Sequence, residues 1–94
     1  PINEAASGGH QAVVEFLLSR GATLDVSAPE RNPLFGAIYG GHLEIARLLL
    51  HSGIDFKIRY SGKSMKEMGA YEFAVERGQS EMAALLKDWE RMHG

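Results

Sequence analysis

Ninety-four residues with 45% hydrophobic and 23% charged side chains describe an ordinary soluble globular domain. A net charge of −2 and a pI near 6.1 give no overall attraction to nucleic acid or to an anionic membrane, and no apolar run approaches the ~18 residues of a membrane span. No signal peptide is visible, and the absence of cysteine excludes a disulfide framework and any thiolate zinc site, which fits an intracellular, cytoplasmic setting.

The first elements follow from small residues and glycine. Residues 1–8 read as the remains of a short helix with small side chains (Ala5, Ala6, Ser7), stopped by Gly8-Gly9. From about Gln11 to Arg20 a second helix carries Val13, Val14, Leu17 and Leu18 on one apolar stripe. Gly21 ends it, with Arg20 well placed for the C-terminal dipole. Gly21 to Arg31 is a connecting loop in which Leu24 and Val26 alternate around Asp25.

Asn32-Pro33 then starts a helix by a definite mechanism: asparagine caps, and proline at the first helical position gives up an N–H that has no partner there. This helix is expected to reach Gly40, and the next to run from Leu43 to His51 with Ile45, Leu48 and Leu49 on its apolar stripe. Residues 54–69 form a long connection, where Ser64-Met65-Lys66-Glu67 fits a capping box and predicts an extra helical turn. A last helix starts near Ser80 and runs past Leu86 towards Met92, with Lys87, Asp88, Glu90 and Arg91 on a polar face.

These elements repeat. Pro1, Ala5, Gly9-His10 and Gly21 recur as Pro33, Ala37, Gly41-His42 and Gly53, each 32 residues on. Ala37, Gly41 and Leu49 recur as Ala74, Gly78 and Leu86, each 37 residues on, so the second interval holds five extra residues. Asn32-Pro33-Leu34-Phe35-Gly36-Ala37, followed by Gly-His and a Leu-Leu-Leu-x-x-Gly ending, resembles the T-P-L-H-x-A unit of the ankyrin-repeat family. The resemblance covers essentially the whole chain, with the signature Thr replaced by Asn32 or Gly69 and the signature His by Asn3, Phe35 or Glu72.

It implies an all-α solenoid of stacked helix-turn-helix repeats with hairpin or loop connections. The repeats fall at about 1–31, 32–68 and 69–94 of one domain. Inner helices (the first of each pair) and outer helices (the second) would each form a row, the loop 21–31 would form a β-hairpin or turn, and the polar last helix suits a terminal repeat. Pro1 falls on the signature proline and there is no initiator Met, so the chain is expected to be part of something longer, with Ile2 and Val13 left bare.

Candidates for chemistry are weak. Ser61-Gly62-Lys63-Ser64 contains the G-K-S of a phosphate-binding loop, but the motif's first glycine would fall on Lys57 and no strand precedes it. His10 and His42 occupy equivalent positions in stacked repeats, roughly 8–10 Å apart, too far to share a metal. The resemblance gives each the task of fixing the turn inside its own repeat. His51 suits a helix C-terminus, His93 lies near the end, and His51, Ser52 and Asp55 in one turn cannot orient each other as a triad. No cofactor, no metal and no enzymatic activity are expected.

What the resemblance implies instead is a recognition surface for another protein. Its inner-helix positions are Ser7 and Gly8, Tyr39 and Gly40, and Glu76 and Arg77; its loop tips are Pro29, Glu30 and Arg31, then Arg59, Tyr60 and Lys63. Tyr39 is the expected anchor, because exposed tyrosine is enriched among binding hot spots, unless it only packs on its neighbours. Lys57, Arg59, Lys63 and Lys66, with no acidic residue among them, are either a solvated loop, a contact for an acidic protein surface or a nucleic-acid contact. The alternative to a protein-binding module is a structural role, in which the bare N-terminal end meets further repeats or another copy; a nucleotide-binding protein or enzyme is the third reading.

Overall fold

The computed structural model describes residues 2–62 and 66–93. Six helices form three antiparallel pairs: α1 (Ile2–Ser7) with α2 (Gln11–Ser19), α3 (Pro33–Gly40) with α4 (Leu43–His51), and α5 (Ala70–Glu76) with α6 (Ser80–His93). The inner helices stack in a row with α3 between α1 and α5, and α2 packs on α4. This is the helix-turn-helix solenoid that the resemblance implies, and the helix bounds agree with the expected ones to within a residue or two.

The three tight turns are built alike. Gly41, at φ +73°, donates to the Ile38 carbonyl, and the His42 N–H reaches back to Ala37 at 2.8 Å. The other two turns repeat both bonds: Gly9 donates to Ala6 and His10 to Ala5, and Gly78 donates to Val75 and Gln79 to Ala74. Each turn thereby satisfies two orphan carbonyls, with the left-handed residue where only glycine is unstrained.

The start of α3 is a buried polar node. Asn32 Oδ1 accepts the N–H groups of Leu34 (2.9 Å) and Phe35 (3.4 Å), as a capping asparagine should. Its Nδ2 donates to the Tyr60 hydroxyl at 2.9 Å, and that hydroxyl donates to the Val26 carbonyl at 2.7 Å. One side chain therefore caps a helix and ties together two loops.

Of the two forms that the resemblance implies, the loop 21–31 takes the turn: the Asp25 carboxylate accepts the Ser27 N–H, the chain turns over residues 28–32, and Tyr60 holds it at Val26. The long connection departs from expectation. Paired backbone occurs in the other connection, where Tyr60 and Met68 exchange N–H···O bonds of 3.1 and 2.8 Å in one antiparallel bridge. No helical turn forms there among the described residues, and Ser64 and Met65 of the expected capping box lie outside them. The side chain that caps α5 is Glu72, whose carboxylate accepts the Gly69 N–H at 3.0 Å.

Burial follows position in the stack. Ile45 and Leu49 on α4 are buried and Leu48 is half-buried. Their equivalents 32 residues earlier differ: Val13 is 48% exposed and Phe16 59%, with Leu17 half-buried. The α2 helix covers α4, but no described element covers the far side of α2. Ile2, expected to be bare with Val13, is buried, because it stands at the register of Leu34. At the other end Val75 is 53% exposed, and Lys87 takes the register of buried Leu50 with its ammonium 5.3 Å from the Tyr71 ring centre.

Equivalent substitutions should therefore differ in cost. Leu49→Ala is expected to destabilise by about 2–5 kcal/mol, because it empties a packed site. Phe16→Ala should stay within about 0.5 kcal/mol, as surface changes do. Asn32→Ala should cost about 2 kcal/mol, with a non-additive share when combined with Tyr60→Phe. Urea denaturation of the four single variants and the double variant measures all of this.

Candidate protein-binding surface

The ends of α1 and α3 and the first loop converge on one groove, with Arg77 beyond the end of α5 beside it. Ser7, Tyr39 and Glu76 occupy the same repeat position at the ends of α1, α3 and α5, each two residues before a left-handed glycine. Tyr39 is 61% exposed, and the Arg77 guanidinium lies over its ring at 4.3 Å. Two residues chosen separately in the sequence are thus in contact.

Beneath them runs an aromatic ladder. Tyr60 meets Phe35 edge-on at 5.1 Å, and Phe35 stacks on Phe73 at 5.0 Å and 15°. Phe73 also lies 5.9 Å under Arg77. Beside Tyr39, the Phe35 and Phe73 rings of this ladder floor a groove of about 390 Å³. Phe35, Phe73 and Tyr39 form its apolar side, Ser7 and Gly36 its wall, and Pro29 and Glu30 its rim. A Cβ on Gly36 would come within 3.2 Å of the Asn3 carbonyl, so glycine here lets α1 and α3 approach closely.

The loop residues divide. The Glu30 carbonyl accepts from Asn3 Nδ2 at 3.2 Å, which pins the loop to α1 while the carboxylate stays exposed. Arg31 and Glu76 are exposed as expected. Arg59, in contrast, spends its guanidinium on the Glu67 carbonyl (2.9 Å) and the Glu72 carboxylate (3.3 Å). Tyr60 is half-buried in the Asn32 node, not at a loop tip, and Lys63 lies outside the described residues. The groove residue that the sequence reading missed is Phe73; its signal is a large ring at the register of Gly36.

The histidines also depart from expectation. His42 does not bond within its own turn: its Nε2 lies 3.2 Å from the Ser7 carbonyl of the preceding repeat, and its ring fills the space over Gly9 and Gly40. The bond joins repeats. Ser52 donates to the Leu48 carbonyl at 2.8 Å and His51 lies edge-on to Trp89, so neither group is turned to a triad. Among the described residues no three His, Asp or Glu side chains cluster to hold a metal, and no helix is long and apolar enough to cross a membrane.

A family model described as ankyrin repeats in three copies matches residues 1–60, from α1 through the loop that ends at Tyr60. The chain belongs to the ankyrin-repeat family. It is 30% identical over 95 aligned positions to an ankyrin repeat protein of Rickettsia felis, an alignment that takes in 83% of this chain and 42% of that protein. It is 32% identical over 82 positions to the ankyrin repeat and KH domain-containing protein mask-1 of Caenorhabditis elegans, covering 87% of this chain and 3% of that one. The chain thus spans less than half the length of either relative.

Within this ankyrin array, Tyr60 provides a pH signature of the node beneath the groove. Burial raises its hydroxyl pKa above the usual 10.0. The Asn32 hydrogen bond opposes that shift, while the negative charges of Asp25, Asp55 and Glu30 add to it. The folded chain therefore holds this proton longer than the unfolded one. The stability it contributes is complete below the unfolded value of 10.0 and is lost as pH rises through the folded value. Stability measured across alkaline pH should show this fall, and Tyr60→Phe should remove it.

Proposed function

We propose that the chain is a protein-interaction module that holds a segment of a partner protein on its concave face, with Tyr39 and Arg77 as the main contacts and Ser7, Glu30, Arg31 and Glu76 around them. Ankyrin repeats are in general protein-interaction modules and not catalysts. The observation that carries the reading is the exposed Tyr39 ring beside an aromatic-floored groove, on helix ends that the repeat stack holds in place. The loop from Lys57 to Lys66 supports an acidic partner less well, since Arg59 is already engaged by Glu67 and Glu72.

A second surface has its own support. Val13 and Phe16 are exposed where Ile45 is buried and Leu48 half-buried, and among the described residues His10 makes no equivalent of the His42 bond to Ser7. That end of the array suits a further repeat of a longer protein. Self-association through it is the alternative, and light scattering separates the two: a mass that rises with concentration and reverts in Phe16→Glu supports pairing of copies.

The main reading is tested by selecting binders from a random peptide library on the immobilised chain. Tyr39→Ala combined with Arg77→Glu should weaken the selected peptides at least about tenfold, the loss expected for a hot-spot pair. Lys87→Ala, on the far end of the stack, should leave them unchanged. Peptides that bind the double variant as well as the parent chain would overturn the proposal.

A further inference from the structure

The groove beside Tyr39 has a chemical character more specific than a general protein contact. Its apolar side is three aromatic rings, Phe35, Phe73 and Tyr39, and among the described residues Glu30 is the only charged residue that lines it. That carboxylate is exposed and makes no ion pair or hydrogen bond among the described residues; the Glu30 contact to Asn3 uses the backbone carbonyl. Ring faces carry partial negative charge, so rings and carboxylate favour the same sign of ligand. The chain itself shows the preference, since Arg77, which does not line the groove, sets its guanidinium 4.3 Å from the Tyr39 centre and 5.9 Å from that of Phe73.

From this juxtaposition we propose that the groove receives a lysine or arginine side chain of the bound partner segment, its alkyl stem on the rings and its cationic end at Glu30. The inference rests on the concave face being the binding surface and adds the chemistry of its occupant. A volume of about 390 Å³ accommodates one long side chain. An acidic side chain meets both the ring faces and Glu30 with the wrong sign. A neutral aliphatic one fills the space but desolvates the Glu30 carboxylate without replacing its water, which is unfavourable.

The test uses three short Gly/Ser peptides that carry one central arginine, leucine or glutamate, titrated at millimolar concentration into the isotope-labelled chain. The arginine peptide should shift the amides of Gly36, Tyr39 and Glu30, and Glu30→Gln should weaken that binding about threefold, the scale of an exposed ion pair. Added salt should weaken it in the parent chain and not in Glu30→Gln. Equal or stronger shifts from the leucine or glutamate peptide overturn the assignment of a cation while leaving the concave face as the binding surface. Absence of shifts with all three overturns the inference, and the library selection on Tyr39 and Arg77 reports separately on the surface.

Discussion

A buried primary amide has both an acceptor and a donor end to satisfy, and Asn32 satisfies each in a node that joins three separate pieces of the chain. Its oxygen caps α3, its nitrogen reaches Tyr60 from the long connection, and Tyr60 passes the bond on to Val26 in the first loop. Leaving such a group unpaired costs roughly 1–3 kcal/mol, so the node locks the loops to the helix instead of letting them drift. The groove inherits this geometry. Phe35 lies three residues beyond Asn32, edge-on to Tyr60, and the rim at Pro29 and Glu30 is the stretch of loop that leads into the cap.

The repeats are alike in backbone and unlike in environment, and position in the stack accounts for the difference. Ile45 is buried and Val13 is not, although both sit at one register of an outer helix, because α2 covers the former and no described element covers the latter. His42 shows the same logic in polar form. Its ring bonds the Ser7 carbonyl, so the histidine that looks like a turn fastener is a rivet between neighbouring repeats. Stability in such an array is local to each interface, which is why its two bare ends persist without disturbing the middle.

How much of this was legible in the sequence depends on the range of the interaction. The helices and their ends were, since caps, turn glycines and apolar spacing act within a few residues: Asn32-Pro33 and Gly41 do locally what their types require. The recurrence at 32 residues also made Tyr39 readable as a helix-end position. Tyr60 was not readable, because its partners Asn32 and Val26 lie 28 and 34 residues away and nothing near it announces them. Arg59 looked free for the same reason, with Glu72 supplied by the next helix. The loop 21–31 takes the turn that the resemblance allowed, but its tether to Tyr60 is a long-range hydrogen bond that nothing in its own sequence announces.

These two kinds of residue separate the fold from what it recognises. Gly9, Gly41 and Gly78 carry the backbone constraint at each turn, and the positions just before them, Ser7, Tyr39 and Glu76, are exposed and carry almost none. A side chain on the last turn of a helix that ends in a fixed glycine turn is held in place without being needed for packing. Binding through it therefore spends little on ordering the backbone, and the association keeps more of the contact energy. A tyrosine suits the central position because it presents a large rigid face with few rotatable bonds. Its neighbour Phe73, stacked on Phe35, extends that face, and Gly36 lets α1 come close enough for Ser7 to line the same groove.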